Sequence, residues 1–98
     1  MAEFIFNYRA PKGYVPGSAD NLEAWNVWFG GMGPALIDIG KPVVDRQEVG
    51  SCGAEETQLN GFSIVQADDL EAALVIAAGC PFVGDGGGVE VGELTDLG

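Results

Sequence analysis

The alternation of apolar and polar side chains predicts two clear β-strands. In residues 2–9 the aromatic side chains of Phe4, Phe6 and Tyr8 fall on one face, because successive side chains of a strand point in opposite directions. Residues 60–67 alternate in the same way and carry apolar side chains on both faces. Weaker patterns at 41–50 and 89–94 predict two further strands.

Apolar residues spaced by three and four predict a long first helix over residues 20–40. Its apolar face consists of Leu22, Trp25, Trp28, Phe29, Met32, Leu36 and Ile39. Asp20 and Glu23 have the spacing of a capping box at its start, and Gly40 is suited to its end. Because Pro34 lacks an N–H group and follows three glycines, we expect a kink or a short break there, with both halves packing on the same surface.

A second, shorter helix is predicted to end at Gly79. Asp68 and Glu71 form another capping box, and the apolar residues of the helix are Leu70, Ala73, Leu74 and Ala77. Glycine, proline and polar residues are concentrated in the predicted loops, 10–19, 51–58 and 83–88.

The resulting order, β-α-β-β-α-β, is that of the ferredoxin-like fold. It predicts an α+β protein in which one antiparallel sheet carries two helices on one face, and 98 residues suit a single domain over 1–98. The strands are apolar on both faces, with Ile5 opposite Phe4 and Phe6, so a monomer would expose an apolar patch. We therefore predict a homodimer in which two sheets stack through the uncovered face.

Charge narrows the choice of partners. Fifteen acidic and four basic residues give a formal net charge of −11, so we expect neither nucleic acid nor an anionic membrane surface as a partner. The chain shows no secretory signal and no apolar run long enough to cross a membrane. With Cys52 and Cys80 expected as reduced thiols, these features predict a cytoplasmic protein.

Several motifs, taken in order, resemble the YCII-related family, a branch of the dimeric α+β barrel superfamily. They are Trp25 and Trp28, MGPALIDIGKP at 32–42, NGFSIVQADDLEAAL at 60–74, AAGCPF at 77–82 and GGGVEVGEL at 86–94. The resemblance covers nearly the whole chain. It implies a homodimer with facing sheets and a small cleft in each subunit between the sheet and the helices.

Members similar to the founding protein of that family carry a histidine paired with an aspartate, which was suggested as a catalytic dyad. The resemblance implies that Asp38 stands where such an aspartate would lie. The chain contains no histidine, so the partner of Asp38 in a dyad is missing. The Asp-Gly-Pro-Phe motif of another branch is also missing, since residues 51–56 read SCGAEE.

Acidic residues near the end of the first predicted helix are candidates for acid–base chemistry. Asp38 or Asp45, with Glu48 nearby, would act as a general base in a cofactor-free reaction if burial beside Trp28 or Tyr8 raised its pKa. The alternative is that all three carboxylates are solvated, as charged side chains usually are.

Aromatic and polar residues supply a candidate ligand pocket. Tyr8, Trp25 and Trp28 would line it, and their O–H and N–H groups would orient a ligand; the alternative is that they form a plain core. Asn7 and Arg9, at the end of the first strand, would hold an anionic ligand, with a simple salt bridge as the alternative for Arg9.

Other motifs are interpreted as structural. The run Gly86-Gly87-Gly88 precedes a strand instead of a helix, which is not the arrangement of a phosphate loop. Cys80 follows the end of a helix, whose dipole disfavours a thiolate, so we expect a buried, inert thiol. Neither the cysteines nor the acidic pairs have metal-site spacing, and no metal or cofactor is expected.

Three hypotheses for function follow. The first is a homodimeric protein without an evident catalytic constellation, which binds a small, uncharged or weakly polar molecule between the helices and the sheet. The second is a cofactor-free acid–base enzyme, monooxygenase- or isomerase-like, that uses a carboxylate. The third is a structural or interaction module whose sheet face binds another chain.

Overall fold

The computed structural model describes residues 1–15 and 19–97, without the side chains of Ala19 and Asp20. Its elements, in chain order, are strand β1 (Ala2–Pro11), helix α1 (Ala19–Met32), strand β2 (Leu36–Asp38), strand β3 (Thr57–Ala67), helix α2 (Leu70–Ala77) and strand β4 (Gly88–Leu94). The strands form one antiparallel sheet in the order β2-β3-β1-β4. The predicted α+β class and the order of elements are therefore confirmed.

The core lies between the sheet and the two helices, on the predicted aromatic face of β1. Phe4, Phe6 and Ala10 are fully buried, and Tyr8 is nearly so. The residues that complete this core come from β3, α2 and the turn after it: Val65, Ala67, Ala73, Ala77, Cys80 and Phe82. Among the described residues, no helix is long and apolar enough to cross a membrane.

A β-bulge interrupts the pairing of β1 with β3. Tyr8 pairs with Gly61 and Arg9 with Leu59, so Asn60 has no partner on β1. Pairing then continues to Pro11 opposite Thr57, which makes both strands longer than predicted. The sequence pattern missed these ends because their residues are polar or include proline.

The first helix ends at Met32, so the prediction that it runs to Gly40 is wrong. Gly33 has a φ of 54° and Pro34 opens a single 3₁₀ turn, which takes the backbone out of the α-helical conformation. Leu36 lies beyond the helix, in β2, and pairs with Val65 on the neighbouring strand β3. The predicted kink or short break is thus a complete end, and the helical spacing of Leu36 and Ile39 is fortuitous.

The predicted strand over 41–50 is also wrong, since its place at the edge of the sheet is taken by β2. Gly40 turns the chain with a φ of 74°, and its N–H donates to Asp38 Oδ1 at 2.8 Å. Beyond it, Pro42 makes only an isolated bridge with Gly61, and Val43 N–H donates to the Asn60 carbonyl at 2.9 Å. The segment follows the edge of β3 without a regular ladder, because Pro42 has no N–H to donate.

The helix caps differ from the predicted ones. The cap of α2 is Asp69, not Asp68, and its side chain accepts a hydrogen bond from the Ala72 N–H at 2.8 Å. Helix α1 begins at Ala19, so Asp20 falls within its first turn. The predicted capping interaction of Asp20, and residues 16–18 of the predicted loop, lie outside the described residues.

Cys80 is buried at the end of α2, as predicted. Its side chain is 3% exposed, and burial raises the pKa of its thiol from 9.0 to about 11. Hydrogen bonds from the backbone of Phe82 and Val83 oppose this shift without cancelling it. The thiol is therefore held in its protonated, unreactive form at neutral pH.

Alkaline pH should destabilise the protein partly through Cys80. Between pH 9 and about 11 the unfolded chain releases this proton and the folded chain retains it, so the free energy of unfolding falls as pH rises. We expect a loss of about 2 kcal/mol over this range that is absent in Cys80→Ala. Urea unfolding at several pH values under reducing conditions measures it, and an identical pH dependence in both proteins would contradict the assignment.

Gly40 should tolerate alanine much less well than Gly50. Both have a strongly positive φ, 74° and 78°, so a Cβ strains either backbone by about 1 kcal/mol. At Gly40 the added Cβ would also overlap the carbonyl oxygen of Phe62, whereas the space around Gly50 is open. We expect Gly40→Ala to lower the free energy of unfolding by at least about 2 kcal/mol more than Gly50→Ala, as measured in urea. If both variants lost the same free energy of unfolding, the close contact between the Gly40 backbone and the Phe62 carbonyl would not be a constraint in solution.

Candidate functional site

A cavity of about 250 Å³ opens on the helical side of the sheet, between α1, the bulged part of β3 (residues 60–62) and the turn after β2. We call it the apolar cavity. Its lining is mostly apolar and includes Tyr8, Leu22, Trp25, Phe29, Ile39 and Pro42. Asn60 adds a polar residue at the same place. Apolar walls with few polar groups are typical of sites for small organic molecules.

Edge-to-face aromatic contacts build the wall of the apolar cavity. The ring centroid of Trp25 lies 4.9 Å from that of Tyr8 and 4.9 Å from that of Phe82, with interplanar angles of 79° and 76°. Phe29 packs against Trp25 with ring centroids 5.6 Å apart. Such contacts restrict ring orientation, so the wall is formed by the fold before any ligand arrives.

The hydroxyl of Tyr8 is committed inside the protein. It donates to Ser63 Oγ at 2.7 Å, and Ser63 in turn donates to the Ile39 carbonyl at 2.7 Å. Burial raises the pKa of Tyr8, and the hydrogen bond with Ser63 only partly opposes this. Tyr8 is therefore a neutral wall residue whose O–H is already used, and not the orienting donor that the sequence suggested.

Ser63 was not singled out from the sequence, although it is fully buried. Its signal is a lone hydroxyl on the core face of β3, between Gly61 and Val65. Because an unpaired buried hydroxyl is costly, such a residue needs partners, and it finds them in Tyr8 and Ile39. Ser63 thus ties the wall of the apolar cavity to the turn after β2.

Trp28 lies apart from the apolar cavity. Its ring stacks on Phe6 with centroids 6.1 Å apart, and its Nε1–H donates to the Ile76 carbonyl at 3.0 Å. This bond joins α1 to α2 and leaves the indole without a free donor. Trp28 instead borders a wide, open groove of about 1000 Å³ that also includes Val27, Pro81 and Asp85.

Asn7 and Arg9 line a different cavity, on the face of the sheet away from the helices. We call this space, of about 270 Å³, the polar cavity. Arg9 lies at its wall and donates to Thr57 Oγ1 and the Thr57 carbonyl, both at 3.1 Å, and to the Gly53 carbonyl at 3.4 Å. The five residues expected to line one pocket are therefore divided between three places.

The candidate carboxylates are all exposed. Asp38 accepts the Gly40 N–H in the turn after β2, and Asp45 and Glu48 lie in the connection to β3. None of the three is buried beside Trp28 or Tyr8 in the way that the acid–base hypothesis expected. Asp38 has a structural role here, and a catalytic role for Asp38 or Asp45 stays a prediction.

The glycine run after α2 allows close packing. A Cβ at Gly87 would overlap the carbonyl oxygen of Arg9, so only glycine permits this approach to β1. The run leads directly into β4 at the edge of the sheet, as predicted. Within residues 1–15 and 19–97, no group of three Cys, Asp or Glu side chains has the arrangement of a metal site.

Comparison with known proteins identifies the family. No curated protein and no solved structure gives a significant match. A family model described as the YCII-related domain matches residues 20–97. This match spans α1 to β4 and covers far more than half of the chain, and the chain therefore belongs to the YCII-related domain family.

Proposed function

We propose that this YCII-related protein is a homodimer that binds a small, uncharged or weakly polar molecule in the apolar cavity of each subunit. The observation that carries the proposal is the apolar cavity itself, with a preformed aromatic wall at Trp25 and Phe29. Its volume suits a single-ring molecule. The buried hydroxyl in its wall, that of Tyr8, is bonded to Ser63, and the one charged residue in its lining, Lys41, is exposed to solvent. The proposal includes a cytoplasmic location, which the free thiols of Cys52 and Cys80 support.

The dimer is supported by the character of the uncovered sheet face. Alternation along the strands places Ile5, Ile64 and Leu94 on this face, opposite the core. Leu94 is 39% exposed, and Ile5 and Ile64 are half-buried. Stacking this face on the same face of a second copy would remove these apolar side chains from water.

Binding to the apolar cavity should be blocked by a charge at its mouth. Leu22 lines the cavity and is 57% exposed, so the fold can accommodate an arginine at this position. The arginine side chain and its charge would then lie across the opening of the cavity. With 4-fluorophenol as an uncharged probe, followed by ¹⁹F NMR, we expect saturable binding that Leu22→Arg weakens at least tenfold.

Val27→Arg is the matched control for this experiment. Val27 lies on the same helix, is 70% exposed and borders the open groove instead of the apolar cavity. It should leave the affinity for 4-fluorophenol unchanged. The proposal fails if the probe shows no saturable binding, or if both arginine variants bind it equally well.

The dimer should dissociate when a charge is placed on the uncovered face. Ile64→Lys introduces an ammonium group that a stacked second sheet would have to desolvate. We expect sedimentation equilibrium at micromolar concentration to give a dimer for the parent protein and a monomer for Ile64→Lys. Val75→Lys, at a 77% exposed position of α2, should remain dimeric. A monomeric parent protein would refute this part of the proposal.

A further inference from the structure

Three of the four basic side chains of the chain meet in the polar cavity. Arg9 comes from β1, Lys12 from the turn after it, and Arg46 from the connection between β2 and β3. These residues are separated in sequence, so the fold brings them together. The fourth basic residue, Lys41, lines the apolar cavity on the other face.

None of these three cations forms a salt bridge with a carboxylate among the described residues, although the chain has fifteen acidic residues. Lys12 Nζ donates to the Ala54 carbonyl at 2.7 Å, and Arg46 donates to the carbonyls of Leu59 and Val43 at 2.8 and 3.0 Å. The bonds of Arg9 likewise end on carbonyl and hydroxyl oxygens. These bonds therefore hold each cation through neutral acceptors, without a direct ion pair.

Donor groups remain after these bonds are counted. Arg9 and Arg46 use Nε and Nη2, so the two N–H groups of each Nη1 have no partner within residues 1–15 and 19–97. Lys12 uses one of three N–H groups. Several fixed, positively charged donors without a direct ion pair are the arrangement that binds carboxylate and phosphate oxygens.

The remaining lining is compatible with an anion. Asn7 and Gln47 add amide groups, and Glu48 is the one carboxylate, in the part of the chain that the structure describes, that lines the polar cavity. The other described carboxylates do not line this cavity, and at physiological ionic strength the repulsion between exposed charges more than about 8 Å apart is largely screened. We propose that the polar cavity binds the oxyanion group, carboxylate or phosphate, of a small organic molecule. This site is separate from the apolar cavity, and it lies at the Arg9 end of β1, away from the Ile5, Ile64 and Leu94 side chains proposed to meet in the dimer.

The test is an NMR titration of ¹⁵N-labelled protein at constant ionic strength with succinate, with inorganic phosphate and with uncharged succinamide. We expect saturable shifts at Arg9, Arg46, Gly53 and Leu59 with at least one of the two anions, and none with succinamide. Tighter binding of succinate identifies a carboxylate ligand, and tighter binding of phosphate identifies a phosphorylated one. Non-saturable shifts with both anions, or equal shifts with succinamide, would overturn the proposal.

Variants separate a built site from general attraction to positive charge. Arg46→Gln and Lys12→Gln should each weaken anion binding at least fivefold, whereas Lys41→Gln removes the same charge outside the polar cavity and should change it less than twofold. Equal weakening by all three would also overturn the proposal. If Arg46→Gln fails to fold because its bonds to Leu59 and Val43 are lost, Lys12→Gln decides. Since 4-fluorophenol reports only on the apolar cavity, either proposal can fail without the other.

Discussion

The packing of one aromatic strand face against two helices is the interaction on which the rest of the structure depends. Phe4, Phe6 and Tyr8 are buried along β1, the strand that lies beside both β3 and β4. Trp28 rests on Phe6 and bonds to α2 through its indole N–H, so it joins both helices to this strand. The apolar cavity lies where Trp25 and Phe29, on the same helix, pack against Tyr8.

Strict alternation made the core strands predictable, whereas helical spacing misled at the end of α1. Aromatic residues at positions 4, 6 and 8 fit the two-residue period of a half-buried strand and do not fit a helical period. Leu36 and Ile39 matched a helical period too, but Gly33 and Pro34 end the helix before them. Once the helix ended, residues 36–38 were free to pair with β3, and the segment predicted as a strand, 41–50, was displaced from the sheet. Local backbone constraints decided this region, and periodicity carries no information about them.

The candidate site was predictable by residue type but not by location. Tyr8 and Trp25 do border a cavity together, and Asn7 and Arg9 do border another. What the sequence could not supply is the course of residues 39–56, which bring Arg46 and Glu48 over the sheet face near Arg9. Ser63 was missed for a related reason, because a buried serine becomes significant only when its partners, Tyr8 and Ile39, are known.

The bulge at Asn60 reverses which residues of β3 face the helices: odd-numbered residues do so on one side of it and even-numbered residues on the other. From Ala67 down to Gly61 the odd-numbered residues face the helices, but past the unpaired Asn60 it is Gln58, opposite the buried Ala10, that lies on the helical side. Leu59 therefore lies beside Arg9, on the face that holds the polar cavity. Because Asn60 itself is unpaired, a relative lacking it would form a regular ladder in which Leu59 still lies opposite Arg9 and Gln58 opposite Ala10. When sequences of this family are aligned, a single gap at the bulge therefore leaves the residues beside Arg9 in place, whereas a gap in the paired part of β3 would shift side chains to the opposite face of the sheet.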